Sequence, residues 1–267
     1  MQKFALSKIA KNIWMSKKRY PITKELKKEL VLLEAIIQNP KINWSTPISH
    51  MVVRDPDFAA WGDSSLSQAG GFSHDLKFWW HWEWPNSIQA RTLSAYQLKA
   101  KIDDKLISIN LLEYAVVITN YAIITQIKDS KNPAKKQYQS LLNWTDNMSA
   151  LAWTKKAAIS TPAGKALSKI FCSLCINNNI ACTSNYINTK ENRCADLISR
   201  VPTNNNVHDF SILIQEFPEL KSYQRLHLSS EFRSCLLQAL LHAHSPNLDQ
   251  IPQPIQKNQE GITLSTS

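Results

Sequence analysis

The stretch AAWGDSSLSQAGGFS, residues 59–73, places a carboxylate at the end of an apolar strand. It opens a predicted meander of three strands, AAWGDSSL, GGFSHDL and KFWWHWEWP, with a first turn at Ser67–Gly70. Three of the five glycines in the chain, Gly62, Gly70 and Gly71, fall in this first hairpin. Such a concentration indicates backbone that approaches another group closely or adopts positive φ.

Three further acids lie in contexts like that of Asp63. Glu113 lies inside the helical run INLLEYAVVITNYAII, Asp146 ends LLNWTD, and Asp196 opens a short helix in NRCADLISR. Burying a carboxylate is costly unless it is paired or bound to metal, so four such groups suggest one shared cation site. Oxygen ligands without nearby His or Cys favour Mg²⁺ or Mn²⁺ over zinc. Taken singly, the two strand-ending aspartates would instead be typical of turns.

The period of a strand predicts how these acids meet. Trp61 and Asp63 are two residues apart and share one face of the first strand, and Trp144 and Asp146 do the same on the fourth. If these strands are neighbours, both carboxylates project at one level of the sheet. A helix laid across that face would deliver Glu113 between them, and the final short helix would bring the fourth acid to the open side. The two tryptophans would pack behind the acids as a dry floor.

Four segments, in this order, resemble the ribonuclease H domain of retroelement reverse transcriptases, of the gypsy-like and related LTR or tyrosine-recombinase kinds. They are GDSSLSQAGGFS, INLLEYAVV, WTDNMSALAWT and YINTKENRCADLISR, and they lie within residues 56–201. The last is the most specific, because N-x-x-A-D-x-[LI]-S-R closes that domain in many such enzymes. The loop NTKENR lacks the His that cellular relatives carry there, which puts the turnover rate in doubt and leaves metal binding unaffected.

The resemblance implies an α/β, ribonuclease H-like fold: a five-stranded mixed sheet flanked by helices, with helical extensions at both ends. Its first and fourth strands lie side by side at the centre of the sheet. Residues 1–55 would form a basic helical segment corresponding to the end of the reverse-transcriptase thumb or connection, and residues 56–205 the ribonuclease H-like domain. Residues 206–245 are predicted as two amphipathic helices, and residues 246–267, rich in Pro and polar side chains, as disordered.

The resemblance also implies the chemistry, which is endonucleolytic hydrolysis of the RNA strand of an RNA–DNA hybrid. The implied catalytic residues and metal ligands are Asp63, Glu113, Asp146 and Asp196, holding two Mg²⁺ ions, or Mn²⁺ in their place. The implied substrate-binding residues are of two kinds: polar groups that read 2′-hydroxyls, and lysines that contact DNA-strand phosphates. The first are Ser64, Ser65, Asn110 and Asn147; the second are Lys155 and Lys156. Capping or turn formation is the alternative role for the polar set.

Charge and composition agree with an intracellular protein that meets a polyanion. The formal net charge is +10, and residues 1–30 contain nine basic and two acidic residues, a net charge of +7. Such an asymmetry fits phosphate contacts, although a solvated helix surface is the alternative. No apolar run predicts a membrane span, and the N-terminus lacks the apolar core of a signal peptide. We therefore expect a cytoplasmic or nuclear protein that is not secreted and has no membrane partner.

The five cysteines are predicted to be reduced thiols, since the count is odd and no secretion signal precedes them. Cys172 and Cys175 have the spacing of a zinc-binding pair, but no second close pair follows. Cys175 also extends the apolar stripe of Leu167, Ile170, Phe171 and Leu174, which favours core thiols over a zinc site.

Two other functions remain open from the sequence. One is a catalytically silent nucleic-acid-binding remnant of a retroelement, against which the presence of all four acids argues. The other is an integrase-like or resolvase-like nuclease of the same superfamily, against which the ending A-D-L-I-S-R argues. The chain has no Tyr-x-Asp-Asp motif, so polymerisation is excluded and the reverse-transcriptase part of a parent polyprotein is an implied partner.

Overall fold

The computed structural model describes residues 22–38, 55–98, 106–131, 139–156, 159–178, 180–204, 207–247 and 250–255. In chain order its elements are α1 (Lys24–Gln38), β1 (Phe58–Ser64), β2 (Gln68–Ser73), β3 (Phe78–Glu83), α2 (Asn86–Leu98), α3 (Ile109–Lys131), β4 (Gln139–Thr145), α4 (Met148–Lys156), α5 (Pro162–Asn178), β5 (Ile180–Tyr186), α6 (Arg193–Ile198), β6 (Thr203–Asn204), β7 (Val207–His208), α7 (Ser211–Glu216), a 3₁₀ helix (Pro218–Ser222), β8 (Gln224–Leu226) and α8 (Ser230–His242). The expectations for residues 1–21, 39–54 and 256–267 lie outside the described residues.

The described residues form an α/β structure around a six-stranded mixed sheet in the order β5-β4-β1-β2-β3-β8. Strand β1 is antiparallel to β2 and parallel to β4, with Trp61 opposite Trp144. The predicted adjacency of the first and fourth strands is therefore confirmed. The two short strands β6 and β7 form a separate hairpin.

The prediction of five strands and a purely helical tail was wrong, because β8 joins the sheet. The segment expected to be one helix after residue 210 ends at Glu216, and Pro218 follows, which lacks the N–H that a continuing α-helix needs. The chain then becomes extended and pairs in parallel with Phe78–Trp80 of β3. Only the second predicted tail helix, α8, forms as a long helix, capped by Ser229, whose hydroxyl accepts from Phe232 N–H.

One face of the sheet is covered by α3. A Cβ at Gly62 would lie 2.4 Å from Val116 Cγ1 and 2.8 Å from Asn120 Nδ2, so this glycine admits α3 close to the sheet. No glycine among the described residues has positive φ, which leaves close approach as the role of the glycines in this hairpin. Neighbouring residues of a strand point to opposite faces. Helix α3 therefore lies on the face opposite Asp63, and the prediction that it crosses the Asp63 face was wrong.

A buried amide, Asn120, joins α3 to the strands beneath it. Its Nδ2 donates to Trp61 O at 3.2 Å and to Asn143 Oδ1 at 2.8 Å, and its Oδ1 accepts from Trp80 Nε1 at 2.8 Å. Asn120 and Asn143 are both fully buried. These bonds satisfy polar groups that would otherwise be costly in a core, and they link α3 to β1, β4 and β3.

The other face carries a smaller core under α6. A Cβ at Gly70 would lie 2.1 Å from Ile198 Cγ2, so α6 also packs directly against the sheet. Trp61 stacks on Phe72 here, with ring centroids 5.3 Å apart and an interplanar angle of 11°. Trp61 and Trp144 are both only half-buried. The prediction that these two tryptophans form a dry floor was therefore wrong.

The aromatic side chains of β3 alternate between the two faces of the sheet. Those on one face belong to the main core, together with the apolar side of α3: Phe78, Trp80, Trp82 and Trp84. On the other face, Trp79 packs in the smaller core under α6. The aromatic side chains of β3 therefore stabilise the two hydrophobic cores.

Three further differences from the sequence prediction concern two connections and the C-terminal tail. Residues 86–98 form α2, a helix that the sequence analysis did not predict, and β2 begins at Gln68, so the first turn is shorter than predicted. Residues 250–255 are not disordered: Ile255 N donates to Gln126 Oε1 at 2.7 Å, and Ile255 is buried. All five cysteines, each within the described ranges, are free thiols.

Among the described residues, no helix has the length and apolar character needed to cross a bilayer.

Candidate metal centre

Asp63 lies at the carboxyl end of β1 and is only 4% exposed. It is paired across the strands with Gly70, whose missing side chain lets α6 approach. The residue after α6, Ser199, is completely buried and donates its hydroxyl hydrogen to Asp63 Oδ2. The tight packing of α6 on the hairpin thus places a hydrogen-bond donor on this carboxylate.

Glu113 projects from the first turns of α3, beyond the end of β1, and is 5% exposed. Its Oε1 accepts from the backbone N–H of Ser64 at 3.3 Å. Its Oε2 is buried and has no hydrogen-bond partner among the described residues. A buried carboxylate oxygen without a donor is unfavourable, so a ligand that accepts its electron pair would stabilise it.

Asp146 follows the last residue of β4 and is half-buried. Its Oδ2 accepts from Thr189 Oγ1 at 2.7 Å, a contact made by the loop between β5 and α6. One carboxylate oxygen from each of Asp63, Glu113 and Asp146 lies within 4.8 Å of the others. Three hard oxygen donors at this separation can hold one divalent cation, which suits Mg²⁺ or Mn²⁺ better than zinc.

The proximity of three carboxylates has electrostatic consequences. Burial raises the pKa of Glu113 well above its ordinary value, and the charges of Asp63 and Asp146 raise it further. Burial also raises the pKa of Asp63, as do the charges of Asp146 and Asp196, while the Ser199 hydrogen bond and the Arg200 charge oppose the rise. A divalent cation would remove this mutual repulsion and keep both groups ionised.

The fourth predicted acid, Asp196, is near the cluster but is not one of its three members. Its Oδ1 lies 2.5 Å from Arg200 Nε, and its Oδ2 lies 3.4 Å from Arg193 Nη1. Arg193 also pairs with Glu216 of α7 at 3.2 Å. Asp196 is thus held by two arginines in this structure, and its role as a fourth metal ligand stays a prediction.

The predicted substrate-binding serines are buried in the turn between β1 and β2. Ser64 Oγ accepts from Trp84 Nε1 at 3.1 Å, and Ser65 Oγ accepts from the backbone N–H of Gln68 at 2.9 Å. The Ser65 contact is of the turn-forming kind that the sequence left open as an alternative, and the Ser64 contact joins the end of β1 to the residue after β3. Contact between these serines and a substrate stays a prediction.

The two predicted asparagines lie together at the same end of the sheet. Asn147 caps α4, because its Oδ1 accepts from the N–H groups of Ser149 and Ala150 at 3.0 Å. Its Nδ2 donates to Asn110 Oδ1 at 2.9 Å. Asn110 is half-buried and lies one helical turn before Glu113 on α3, so its amide N–H₂ group lies close to the acidic cluster.

The predicted lysines, Lys155 and Lys156, are exposed in the last turn of α4. Helix α4 begins two residues after Asp146, so both lysines lie at the far end of a nine-residue helix that starts at the acidic cluster. This position permits contact with a strand that passes the acids and runs along α4.

Sequence reasoning missed the two hydroxyl groups that bind the acids, Ser199 and Thr189. Both lie in YINTKENRCADLISR, the segment that carries the strongest resemblance, and a Ser three residues after Asp196 was a usable signal. It also missed Asn192, which is buried and donates from Nδ2 to Gly62 O at 3.2 Å. These three contacts tie residues 189–199 to the ends of β1 and β4.

Comparison of the chain with protein-family models, with curated proteins and with solved structures found no match.

Proposed function

We propose that this chain is a divalent-metal-dependent ribonuclease H that hydrolyses the RNA strand of RNA–DNA hybrids as part of a retroelement reverse transcriptase. The observation that carries the proposal is the cluster of Asp63, Glu113 and Asp146, in which Glu113 Oε2 is buried without a hydrogen-bond partner among the described residues. Buried acids whose pKa values are raised by desolvation and by one another are candidates for a functional site, and a divalent cation would stabilise them.

The topology supports the same proposal at the level of the fold. The resemblance implies that the strands ending in the first and third acids are central neighbours, and β1 and β4 are parallel neighbours near the middle of the sheet. Because the carboxyl ends of parallel strands meet at one edge, Asp63 and Asp146 come together from positions 83 residues apart in sequence. We therefore propose a ribonuclease H-like fold for the sheet and its flanking helices.

Each acid would have a distinct task in hydrolysis. Asp63 and Asp146, at the strand ends, would bind the cation from two sides, and Glu113 would complete the ligand set with the oxygen that has no protein donor. When bound, divalent cations activate water and stabilise charge on the phosphate in reactions of this class. Ser199 and Thr189 would hold one oxygen of Asp63 and one of Asp146, leaving the other oxygens for the cation.

The choice of substrate would depend on polar groups beside the acids. Asn110 and Asn147 form a hydrogen-bonded pair at the start of α3 and α4, and the Asn110 N–H₂ group, which that bond does not use, can donate to a 2′-hydroxyl. Lys155 and Lys156 would contact phosphates of the paired DNA strand. The formal net charge of +10 favours association with a polyanion such as RNA or DNA.

Asp196 would enter the site only by leaving its arginine partners. Its ion pair with Arg200 is partly exposed, and such a pair is worth about 0–1 kcal/mol, which is a small barrier to rearrangement. Asp196 would therefore join the metal ligands only when a cation or the substrate binds at the three-acid cluster.

The decisive experiment is cleavage of an end-labelled RNA–DNA hybrid with Mg²⁺, beside single-stranded RNA and double-stranded DNA of the same sequence. Cleavage of the hybrid RNA strand alone supports the proposal, and EDTA should abolish it. Hybrid binding without any cleavage would favour the catalytically silent remnant. Cleavage of double-stranded DNA at the hybrid rate would favour an integrase-like or resolvase-like nuclease.

A further inference from the structure

A cavity of about 160 Å³ lies at the edge of the sheet, away from the acidic cluster. It is lined by His81, Trp82, His227, Leu228 and Arg233. It exists because β8 pairs with only three residues of β3, ending at Trp80. Beyond that point the chain leaves β3 through His227 and Leu228 and enters α8, so a gap opens beside His81 and Trp82.

Arg233 gives this cavity its charge. Its Nε is buried and has no hydrogen-bond partner among the described residues, and no carboxylate within them forms an ion pair with it. By contrast, the guanidinium groups of Arg193 and Arg200 both meet acids. Arg233 is half-buried, and a buried donor without an acceptor is unfavourable, so this arginine is suited to an anion that comes from outside the chain.

The two histidines have different parts in the cavity. Burial and the charges of His208 and Arg225 lower the pKa of His81 to about 3, so its ring is neutral and is held by Gln68 Oε1 at 3.3 Å. His81 therefore contributes an uncharged wall of the cavity, and the positive charge that attracts an anion is that of Arg233. His227 is exposed at the mouth, where its ring N–H can donate to a ligand.

His81, in the wall of the cavity, lies two strands away from Asp63 of the candidate metal centre. Asp63 is paired with Gly70, and Gly70 is paired with His81, so the three residues form one cross-strand row. Two strand spacings put the backbones of Asp63 and His81 about 10 Å apart. Since a nucleic-acid strand carries one phosphate per roughly 3.4 Å of axis, this distance corresponds to about three nucleotides.

We propose that this cavity binds a backbone phosphate of the nucleic acid through the Arg233 guanidinium, a few nucleotides from the phosphate at the acidic cluster. The identity of the ligand rests on the proposed function, whereas the capacity for a phosphate rests on Arg233 alone. The guanidinium presents N–H donors in a fixed fork that matches phosphate oxygens. The contact would set the register of the strand over the acids.

The first test measures binding and does not depend on cleavage. Hybrid affinity is measured by fluorescence anisotropy in EDTA over a range of salt concentrations for wild type, Arg233→Gln, Arg233→Lys and Lys221→Gln. Lys221 is exposed on the 3₁₀ helix and serves as a matched loss of one charge. We expect Arg233→Gln to lower the magnitude of the slope of log K against log salt by about 0.9, as for one lost phosphate contact. Arg233→Lys should retain most of the slope, and Lys221→Gln should leave it unchanged.

The second test uses inorganic phosphate alone and is valid even if the hybrid does not bind. Thermal unfolding is followed in phosphate and in chloride of equal ionic strength, without divalent metal. Phosphate should raise the wild-type Tm by about 2–4 °C, and Arg233→Gln should remove this rise. Because Arg233→Gln removes the charge and keeps part of the side-chain stem, its Tm in chloride should lie close to that of wild type, which also shows that the variant folds.

The outcomes separate the two proposals. A phosphate-dependent Tm without a change in the hybrid slope would overturn the nucleic-acid contact and identify a free-anion site. No effect of Arg233→Gln in either test would overturn the cavity as an anion site. Failure of wild-type protein to bind or cleave the hybrid would overturn the proposed function, while the phosphate test would still decide the cavity.

Discussion

Ser199 donates its hydroxyl hydrogen to Oδ2 of Asp63, across 136 residues of sequence. Ser199 is completely buried, and the carboxylate that accepts its hydrogen bond belongs to the three-acid cluster. It favours the ionised form of Asp63, against the burial that disfavours it. Ser199 is therefore a positioning residue for the proposed cation.

Replacing Ser199 with Ala should weaken hybrid cleavage by roughly 10- to 150-fold and raise the Mg²⁺ concentration needed for half-maximal rate. One lost hydrogen bond to a charged group corresponds to about 1.5–3 kcal/mol. The acidic limb of the pH–rate profile should move to higher pH, because the bond that lowers the pKa of Asp63 is gone. Ser234→Ala, an exposed serine on α8, is the control and should change neither quantity. A pH–rate profile identical to that of wild type would show that Ser199 contributes packing alone and does not position Asp63.

Asp146→Asn should remove nearly all Mg²⁺-dependent cleavage and retain hybrid binding, because the amide keeps the shape of the side chain and loses its charge. Rates are compared with those of Asp209→Asn, which neutralises an exposed acid at the start of α7. More than about a tenth of wild-type activity in Asp146→Asn would contradict the metal mechanism, which needs this ligand.

The unfolding free energy of the metal-free protein should fall as pH rises above about 4.5. The pKa values of Asp63 and Glu113 are raised in the folded state, so over this range the folded protein binds more protons than the unfolded chain. Stability therefore declines with rising pH until both groups are ionised. Urea unfolding at several pH values measures the trend.

Glu113→Gln supplies the test of that explanation. The variant should be at least as stable as wild type at pH 7 without metal, and its dependence on pH should be weaker. Added Mg²⁺ should stabilise wild type and have little effect on the variant. A variant with the same pH dependence as wild type would locate the titrating group elsewhere.

Asn110→Ala should lower hybrid affinity or cleavage several-fold, as expected for about one lost hydrogen bond. Affinity for a DNA duplex, which lacks 2′-hydroxyls, should change less. Because Asn147 Nδ2 also loses its acceptor at Asn110 Oδ1, thermal unfolding must be measured beside binding. Equal losses for hybrid and DNA duplex would mean that Asn110 supports α4 and does not select RNA.

The sequence predicted the elements with strong local signals and the acids that end them. Strands β1, β3 and β4 and helices α3 and α6 follow from the spacing of their apolar residues. Helix α2 was missed because it presents few apolar side chains, with Ile88 and Thr92 as its buried residues. Strand β8 was missed because three residues are too short for a period to show.

The contacts that shape the candidate site were harder to predict. The three-acid cluster was expected from the order of the acids. The face of the sheet on which α3 packs depends on Gly62, and the sequence around this glycine does not show which element packs against it. The arginine pairs of Asp196 arise from residues three before it and four after it on a short helix, where either pairing or metal binding is compatible with the sequence. Ser199 and Thr189 bind their acids only through tertiary packing.

The Asn120 network has a consequence for the acid two turns away. A helix rises about 1.5 Å per residue and is stiff over this length, so anchoring Asn120 to β1, β3 and β4 also fixes the axial position and rotation of Glu113, about 10.5 Å along the same helix. Sliding α3 by one residue would break all three anchors and turn Glu113 by about 100° away from the strand ends. The core of this protein thereby sets the alignment of its acids before any ligand arrives, and a substitution at Asn120 would misalign the site without touching it.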